Sequence, residues 1–317
     1  MIGRKLKPKS KILNNKRERD KIIFCCIILA LPVLQQAVFY IGVNFNSFVQ
    51  AFRIYDNNTT GLGYIVSFSF HKNFVSAVKL VTRSPYILKN SAIIYVSSLF
   101  ISLPLALTFS FYVYKKFPFS KSFRVFLYMP QIVSALVFSL LFKYLTTEVY
   151  QTISYKMTGI RVEGLLANQQ TRIATLVFFN IWISFGVNII MYSGAMEGIS
   201  PEIVESAKLD GANLIQEFFH ITFPSIYPTF VSFIIIGLAG LCTNQANLYN
   251  LFGPQAQELS TLGYYIYAQS NKADYVASLS YASWGQLSAL GIILTLILAP
   301  VTLSVKKLLE KIGPSVD

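Results

Sequence analysis

Two groups of residues in this chain could do more than fill an apolar interior. The first is a set of amides and aromatics inside uncharged stretches: Asn180, Trp182 and Asn188, then Asn244, Gln245, Asn247, Tyr249 and Asn250. Amides offer donors and acceptors together, and rings offer flat apolar faces. A neutral, polyhydroxylated solute needs both. The same amides could instead bond helix to helix inside a membrane bundle, and the residues alone leave both readings open. The second group is the polar segment 196–225, set between two apolar stretches. Ser200 and Pro201 read as a helix cap and first helical position. Glu202 and Glu205 sit near that helix's positive end. Asp210-Gly211 stops it, the glycine being free to take a positive φ. A second helix, Ala212 to about His220, follows, and Pro224 closes the segment. Such a protrusion of small, apolar and acidic residues suits docking into a groove on another protein.

Residues for catalysis are sparse. The two histidines, His71 and His220, are far apart. The three cysteines, Cys25, Cys26 and Cys242, lie in apolar runs, with neither a disulfide framework nor metal-ligand spacing. There is no glycine-rich phosphate loop ending in Lys-Ser or Lys-Thr, and no G-x-S-x-G nucleophile elbow. The apolar stretches also lack the Asp, Glu, Lys or His that an ion-coupled carrier keeps in its bundle. A passage driven by a partner fits these absences. A membrane-embedded enzyme or scaffold is the rival, and the missing catalytic set weighs against the enzyme.

The elements that must position these residues follow from hydropathy. Of 317 residues, 54% are hydrophobic and only 13% charged, about half the charged share of a soluble domain. Six stretches reach the length needed to cross a bilayer: about Ile22–Val43, Ser91–Val113, Val125–Phe142, Ile173–Gly194, Ile226–Tyr249, and part of Tyr275–Val305. In lipid they must be helices or a closed barrel, and the alternating pattern of barrel strands is absent. The expected fold is all-α, a polytopic membrane bundle of six helices.

Lys plus Arg outnumber Asp plus Glu by 27 to 14, a net charge of +13. Without a basic stripe interleaved with aromatics, this does not suggest nucleic acid. The basic residues cluster at Arg4–Lys21, at Lys115, Lys116 and Lys121, and at Lys306, Lys307 and Lys311. The positive-inside rule places these segments, both termini included, in the cytoplasm. The chain then divides into a basic tail (1–21), a membrane domain (22–305) and a second tail (306–317). Segments 44–90, 143–172 and 250–274 face outward. Asp56–Gly61 reads as a turn cluster, and Phe70–Leu88 as a short surface helix. No cleavable leader is evident, so the first apolar stretch is expected to remain as a helix.

Segment 196–225 resembles a known family. Glu205-Ser206-Ala207, three residues, Gly211, nine residues and Ile221-Thr222-Phe223-Pro224 is similar to the E-A-A…G…I-x-L-P pattern of permease subunits of binding-protein-dependent ABC importers. Ser206 and Phe223 depart from it, keeping size or apolar character. Asp210-Gly211-Ala212-Asn213, Ser260–Tyr267 and the tail Lys306–Lys311 resemble the carbohydrate branch, and within it the first of two paired permeases (MalF-like or LplB-like). Gly253-Pro254 stands where the family has Gly-Gly-Pro. The resemblance implies a type I importer domain in a prokaryotic cell membrane, passing a carbohydrate, with other ABC importer cargo, such as phosphate or a peptide, as the alternative. It implies a coupling loop built on Glu205, Ser206, Ala207, Asp210, Gly211, Ile221 and Pro224. It also implies a second permease, two cytoplasmic ATPases that hold ATP and Mg, and an extracytoplasmic solute-binding protein. This chain itself would hold no cofactor.

Overall fold

The computed structural model describes residues 16–57, 64–272 and 277–314. The basic residues before Lys16, residues 58–63 with the tip of the expected turn cluster, residues 273–276 and residues 315–317 lie outside the described residues. The elements in chain order are α1 (Arg19–Gln50), β1 (Arg53–Asn57), β2 (Tyr64–Phe68), α2 (Lys72–Arg83), α3 (Pro85–Tyr114), α4 (Ser120–Ile132) and α5 (Ala135–Thr158). They continue with α6 (Arg172–Glu197), α7 (Pro201–Leu209), α8 (Leu214–Gly240), α9 (Leu248–Phe252), α10 (Leu262–Lys272) and α11 (Ala277–Ile312).

Five of these helices are long and apolar enough to cross a membrane, and the bent pair α4–α5 makes six when counted as one span. The fold is helical apart from one antiparallel hairpin, β1–β2, in which Arg53 faces Phe68 and Asn57 faces Tyr64. Hydropathy gave no sign of that hairpin. The expected surface helix is α2, between the hairpin and α3.

Two expected spans need correction. The third, about Val125–Phe142, is not straight: α4 and α5 meet at a 97° bend. Val133 and Ser134 are extended there, with ψ of 143° and 131°. Pro130 lies just upstream and removes one helical N–H. Gln131 Nε2 donates to the Ile183 carbonyl, tying the bend to α6. The fifth span begins earlier and ends earlier than expected. Helix α8 starts at Leu214 and stops at Gly240, so Asn244–Tyr249 lie beyond it, in a turn and the start of α9.

Helix α6 is the centre of the bundle. It packs against α3, α4 and α8, and buries Leu176, Phe179, Gly186, Ile189, Tyr192, Ser193 and Met196. Lipid supplies no hydrophobic force between helices, so close approach of backbones has to supply contact. Gly186 allows that approach: a Cβ there would lie 2.4 Å from the Leu127 carbonyl oxygen of α4. Near one end of α6, stacked or tilted rings of Phe138, Phe142 and Phe179 fill the core, with Phe142 and Phe179 centroids 4.6 Å apart. Near the other, Ala106, Leu107, Tyr192, Met196 and Ile226 form a second cluster. None of the most apolar stretch of α1 is buried in this chain.

Irregular segments are pinned by side chains. Asn73 Nδ2 donates to the Ala51 and Arg53 carbonyls, at 2.9 and 2.8 Å. Asn90 donates to the Glu258 and Ser260 carbonyls, at 2.7 and 3.1 Å. Ser91 Oγ accepts from the Leu262 N–H, and Thr261 Oγ1 donates to the Asn244 carbonyl. Together they fix the stretch before α10 against α3 and against the end of α8.

Gly186→Ala should lower stability by about 1–3 kcal/mol, the usual cost of overpacking. Gly194→Ala, where a Cβ meets nothing within 4 Å, should change it little. Thermal unfolding of the two detergent-solubilised variants checks this, the expected outcome being a drop in Tm for the first only.

Candidate functional site

The protrusion forms between α6 and α8. Helix α6 ends at Glu197, and α7 begins at Pro201, the first helical position. Ser200 stands at the cap position, but its hydroxyl bonds the Glu202 carboxylate rather than a backbone N–H. Val204 is buried and anchors α7. The helix ends in a Schellman motif: Gly211 N–H donates to the Lys208 carbonyl at 3.1 Å, and Ala212 N–H to the Ala207 carbonyl at 3.0 Å. Gly211 carries the required positive φ, +81°, and Asp210 N–H donates to the Ser206 carbonyl. Ser206, Ala207, Asp210 and Gly211 are therefore joined in one turn.

The second helix differs from the expectation. It starts at Leu214, not Ala212, and Asn213 caps it in a capping box. Asn213 Oδ1 accepts from the Gln216 N–H, and Gln216 Oε1 accepts from the Asn213 N–H, both at 2.9 Å. The Asn-x-x-Gln spacing was the available signal. Pro224 does not close the segment. The helix widens into a π turn over Phe218–Thr222 and runs on through Pro224 to Gly240. The wider turn shifts the hydrogen-bond register just before the residue that lacks an N–H. Ile221 and Pro224 are thus half-buried parts of the long helix.

Glu205, Ser206 and Asp210 are exposed on the protrusion. Apolar side chains are exposed beside them: Ile203, Leu209 (89% exposed), Leu214, Ile215 and Phe219. The protrusion thus presents exposed apolar side chains rimmed by charge, the kind of surface through which proteins contact one another. At its base, Glu217 is 2% exposed and forms an ion pair with Lys115, at the end of α3. The sequence reading used Lys115 only to orient the chain and assigned Glu217 no role.

The amides of the first group are partly gathered. A cavity of about 430 Å³ lies between α3, α6 and α8, and Asn180, Asn188, Asn244 and Asn247 all line it. Asn180 Nδ2 donates to the Leu176 and Ala246 carbonyls, and its Oδ1 accepts from Asn247 Nδ2 at 3.1 Å. These two amides therefore also bond across elements, as the second reading held. Gln245 and Tyr249 do not line the cavity, nor does Trp182. The Trp182 ring packs among Phe138, Phe142 and Phe178, and the Tyr249 ring rests edge-on against Tyr267, 4.9 Å away. Trp182 and Tyr249 pack instead against the core cluster around Phe138, Phe142 and Phe179.

Sequence reasoning missed the other polar lining: Ser97 and Ser98 on α3, Ser184 on α6, and Tyr192. The Tyr192 hydroxyl is buried with no hydrogen-bond partner among the described residues. No charged side chain is among the cavity's described lining residues. Outside the spans, the Tyr264 phenol accepts from the Ala256 N–H and donates to the Gly253 carbonyl, at 3.0 and 2.7 Å. Burial raises its pKa above the usual phenol value, so it stays neutral and makes both bonds. It braces the loop at Gly253-Pro254.

Residues 98–317 match the family of binding-protein-dependent transport system inner membrane components. The chain belongs to that family. Among curated relatives, this inner membrane component is 26% identical over 258 residues to the arabinooligosaccharides transport system permease protein AraP of Bacillus subtilis (strain 168). That alignment covers 76% of this chain and 79% of the relative. It is 24% identical over 289 residues to the multiple sugar-binding transport system permease protein MsmF of Streptococcus mutans, covering 89% and 94%. In fold it is similar to a chain of the crystal structure of a bacterial ABC transporter involved in the import of the acidic polysaccharide alginate, with a TM-score of 0.71. The identity is 20%, and 94% of this permease and 98% of that chain are covered. The permease is thus a multi-pass membrane subunit with the fold of an ABC importer's transmembrane domain.

Gly211→Val should destabilise the protrusion's turn by about 1–3 kcal/mol, since a β-branched residue is forced to positive φ. A Cβ there meets nothing within 4 Å, so the cost is conformational alone and Gly211→Asn should be milder. Hydrogen exchange of the Ala212 amide reads this directly: exchange should quicken in the valine variant while amides of α6 stay protected.

Proposed function

We propose that this permease forms half of the membrane passage of an ATP-driven importer for a neutral carbohydrate. The observation that carries the reading is the uncharged cavity, whose polar lining is the amides Asn180, Asn188, Asn244 and Asn247 and the hydroxyls of Ser97, Ser98 and Ser184. Amides and hydroxyls both donate and accept, as sugar hydroxyls do. Phosphate or another charged cargo would find no compensating charge there, and an ion without one is costly to bury. The names of the relatives, which transport arabinooligosaccharides and multiple sugars, support a carbohydrate.

In this reading the protrusion docks on a cytoplasmic ATPase. Glu205 and Asp210 supply charge at its rim, and Leu209, Ile215 and Phe219 fill a cleft. Ser206, Ala207 and Gly211 set the turn, and Ile221 and Pro224 carry it into α8. ATP and Mg²⁺ belong to the two ATPases, and this chain hydrolyses nothing. A second permease supplies the other half of the passage and covers the unburied flank of α1. An extracytoplasmic solute-binding protein delivers cargo, as the alginate transporter's crystal structure with a pentasaccharide-bound periplasmic protein suggests by likeness. Both termini lie in the cytoplasm of a prokaryotic cell, the basic residues Lys306, Lys307 and Lys311 among them.

Two measurements check this. Asn188→Leu removes an amide from the cavity wall with little change in volume; it should weaken uptake of a radiolabelled neutral oligosaccharide by up to about tenfold, the worth of one hydrogen bond, with the ATPase still bound. Undiminished uptake of neutral oligosaccharides would separate Asn188 from the cargo. Cysteines placed at Ser10 and at Ser315, in a background without Cys25, Cys26 and Cys242, should stay unlabelled by an impermeant thiol reagent outside intact cells. Labelling at either one would invert the orientation.

A further inference from the structure

The Lys115–Glu217 ion pair has features that a simple structural tie does not require. Glu217 is 2% exposed and the Lys115 side chain 11%. The ammonium also lies 5.5 Å from the ring centroids of Phe111 and Tyr114. The Phe111 ring stands edge-on to Phe218, 5.0 Å away, on the helix that carries Glu217. A charged pair enclosed by rings is expensive to keep, and an apolar pair of similar volume would hold two helices at least as well. What the pair adds is a single fixed register between two elements.

Those two elements share two properties. Each contributes residues to the cavity: Ser97, Ser98 and Leu103 from α3, and Phe233, Ile236 and Gly237 from α8. Each also carries a π turn, at Ser98–Ser102 in α3 and at Phe218–Thr222 in α8. Such turns are loosened hydrogen-bond registers, frequent at functional positions. At 1.5 Å per residue, the pair lies about 25 Å along α3 from Ser98 and about 30 Å along α8 from Gly237. Glu217 itself is four residues past the Asn213 cap, at the root of the protrusion.

We infer that Lys115 and Glu217 are positioning residues that clamp α3 to α8 at the foot of the docking protrusion, so that displacement of the protrusion moves both cavity walls together. Helices α6 and α8 are joined to the protrusion by the chain itself, whereas α3 is not; without the clamp, α3 would be tied to it only through its contact with α6, where Ser110 Oγ donates to the Ile189 carbonyl at 3.2 Å. This rests on the reading of segment 196–225 as the ATPase docking site.

The test uses the assembled transporter in proteoliposomes with its own ATPase, in a background lacking Cys25, Cys26 and Cys242. Ser98→Cys reports on the cavity wall through its rate of labelling by a small maleimide, with and without ATP and vanadate. With the pair intact, vanadate trapping should change that rate. In Lys115→Met and in Glu217→Gln, nucleotide should still be trapped but the change should be lost. The exchanged pair, Lys115→Glu with Glu217→Lys, should recover it. A full nucleotide-dependent change in either single variant would overturn the clamp. So would loss of the ATPase in the single variants without recovery in the exchanged pair, since the pair would then shape the docking surface instead. If the reporter ignores vanadate with the pair intact, or no ATPase assembles with it, the docking reading itself fails, an outcome separate from these.

Discussion

In a bilayer every backbone N–H and C=O must find its partner within the protein, and much of this structure answers to that constraint. Unbroken helices meet it by themselves. Each place where a helix breaks exposes polar backbone; some breaks are closed locally, as at Gly211 and Asn213, and at others a short polar side chain from another element supplies a bond. Asn180 reaches the Ala246 carbonyl after α8 ends, and Thr261 reaches the Asn244 carbonyl. Asn90 and Ser91 hold residues 258–262, Gln131 bonds the Ile183 carbonyl beside the α4–α5 bend, and Asn73 holds the approach to β1. The break after α8 lies at the cavity, which Asn244 and Asn247 line, whereas the α4–α5 bend at Val133-Ser134 is exposed.

The same constraint explains what could be read from the sequence. A span is written in uninterrupted apolar residues, so α6 was legible to within a turn, while α1, α3 and α11 were found but run about two turns beyond the expected bounds at one end. A break is written in relations between distant residues. Val133-Ser134 looks no different from many pairs within helices; its extended backbone depends on α6 standing beside it. The stop at Gly240 was hidden because the apolar pattern continues through Leu241-Cys242. Cys242 and Leu241 are packed in a core shared with α10 and α11, so hydropathy registers burial there and says nothing of helicity. The β1–β2 hairpin was obscured for a related reason: it is short, and its turn residues did not show that the flanking residues pair.

The candidate site was legible in unequal parts. The turn at Gly211 was plain because its chemistry is local: a helix end, a positive φ and the residue that tolerates it. The role of Pro224 was misread by the same local logic. A proline ends a helix unless the register changes ahead of it, and a π turn leaves no mark in sequence. Among the amides, type was informative and direction was not. Asn180 and Asn188 lie eight residues apart on α6 and share a face, which a helical period does show. Trp182, two residues from Asn180, packs among the rings of Phe138, Phe142 and Phe178 instead. Asn244 and Asn247 reach the same cavity by another route, through a turn in which Ala246 and Asn247 hold φ near +52° and +54°. No periodicity encodes that.

The distribution of charge ties these parts together. A neutral cargo needs a cavity without fixed charge, because an unpaired ion in low dielectric would either bind counter-ions or collapse the space around itself. A docking surface needs charge to select and orient its partner. The chain separates the two by the length of α3 and of α8. Among the described residues the cavity is lined by amides, hydroxyls and apolar groups and by no charged side chain, while Glu205, Lys208 and Asp210 are exposed on the protrusion. Among the described residues the Lys115–Glu217 pair is the most deeply buried ion pair, and it lies about 25 Å along α3 from Ser98 of the cavity wall, far enough to leave the cavity neutral.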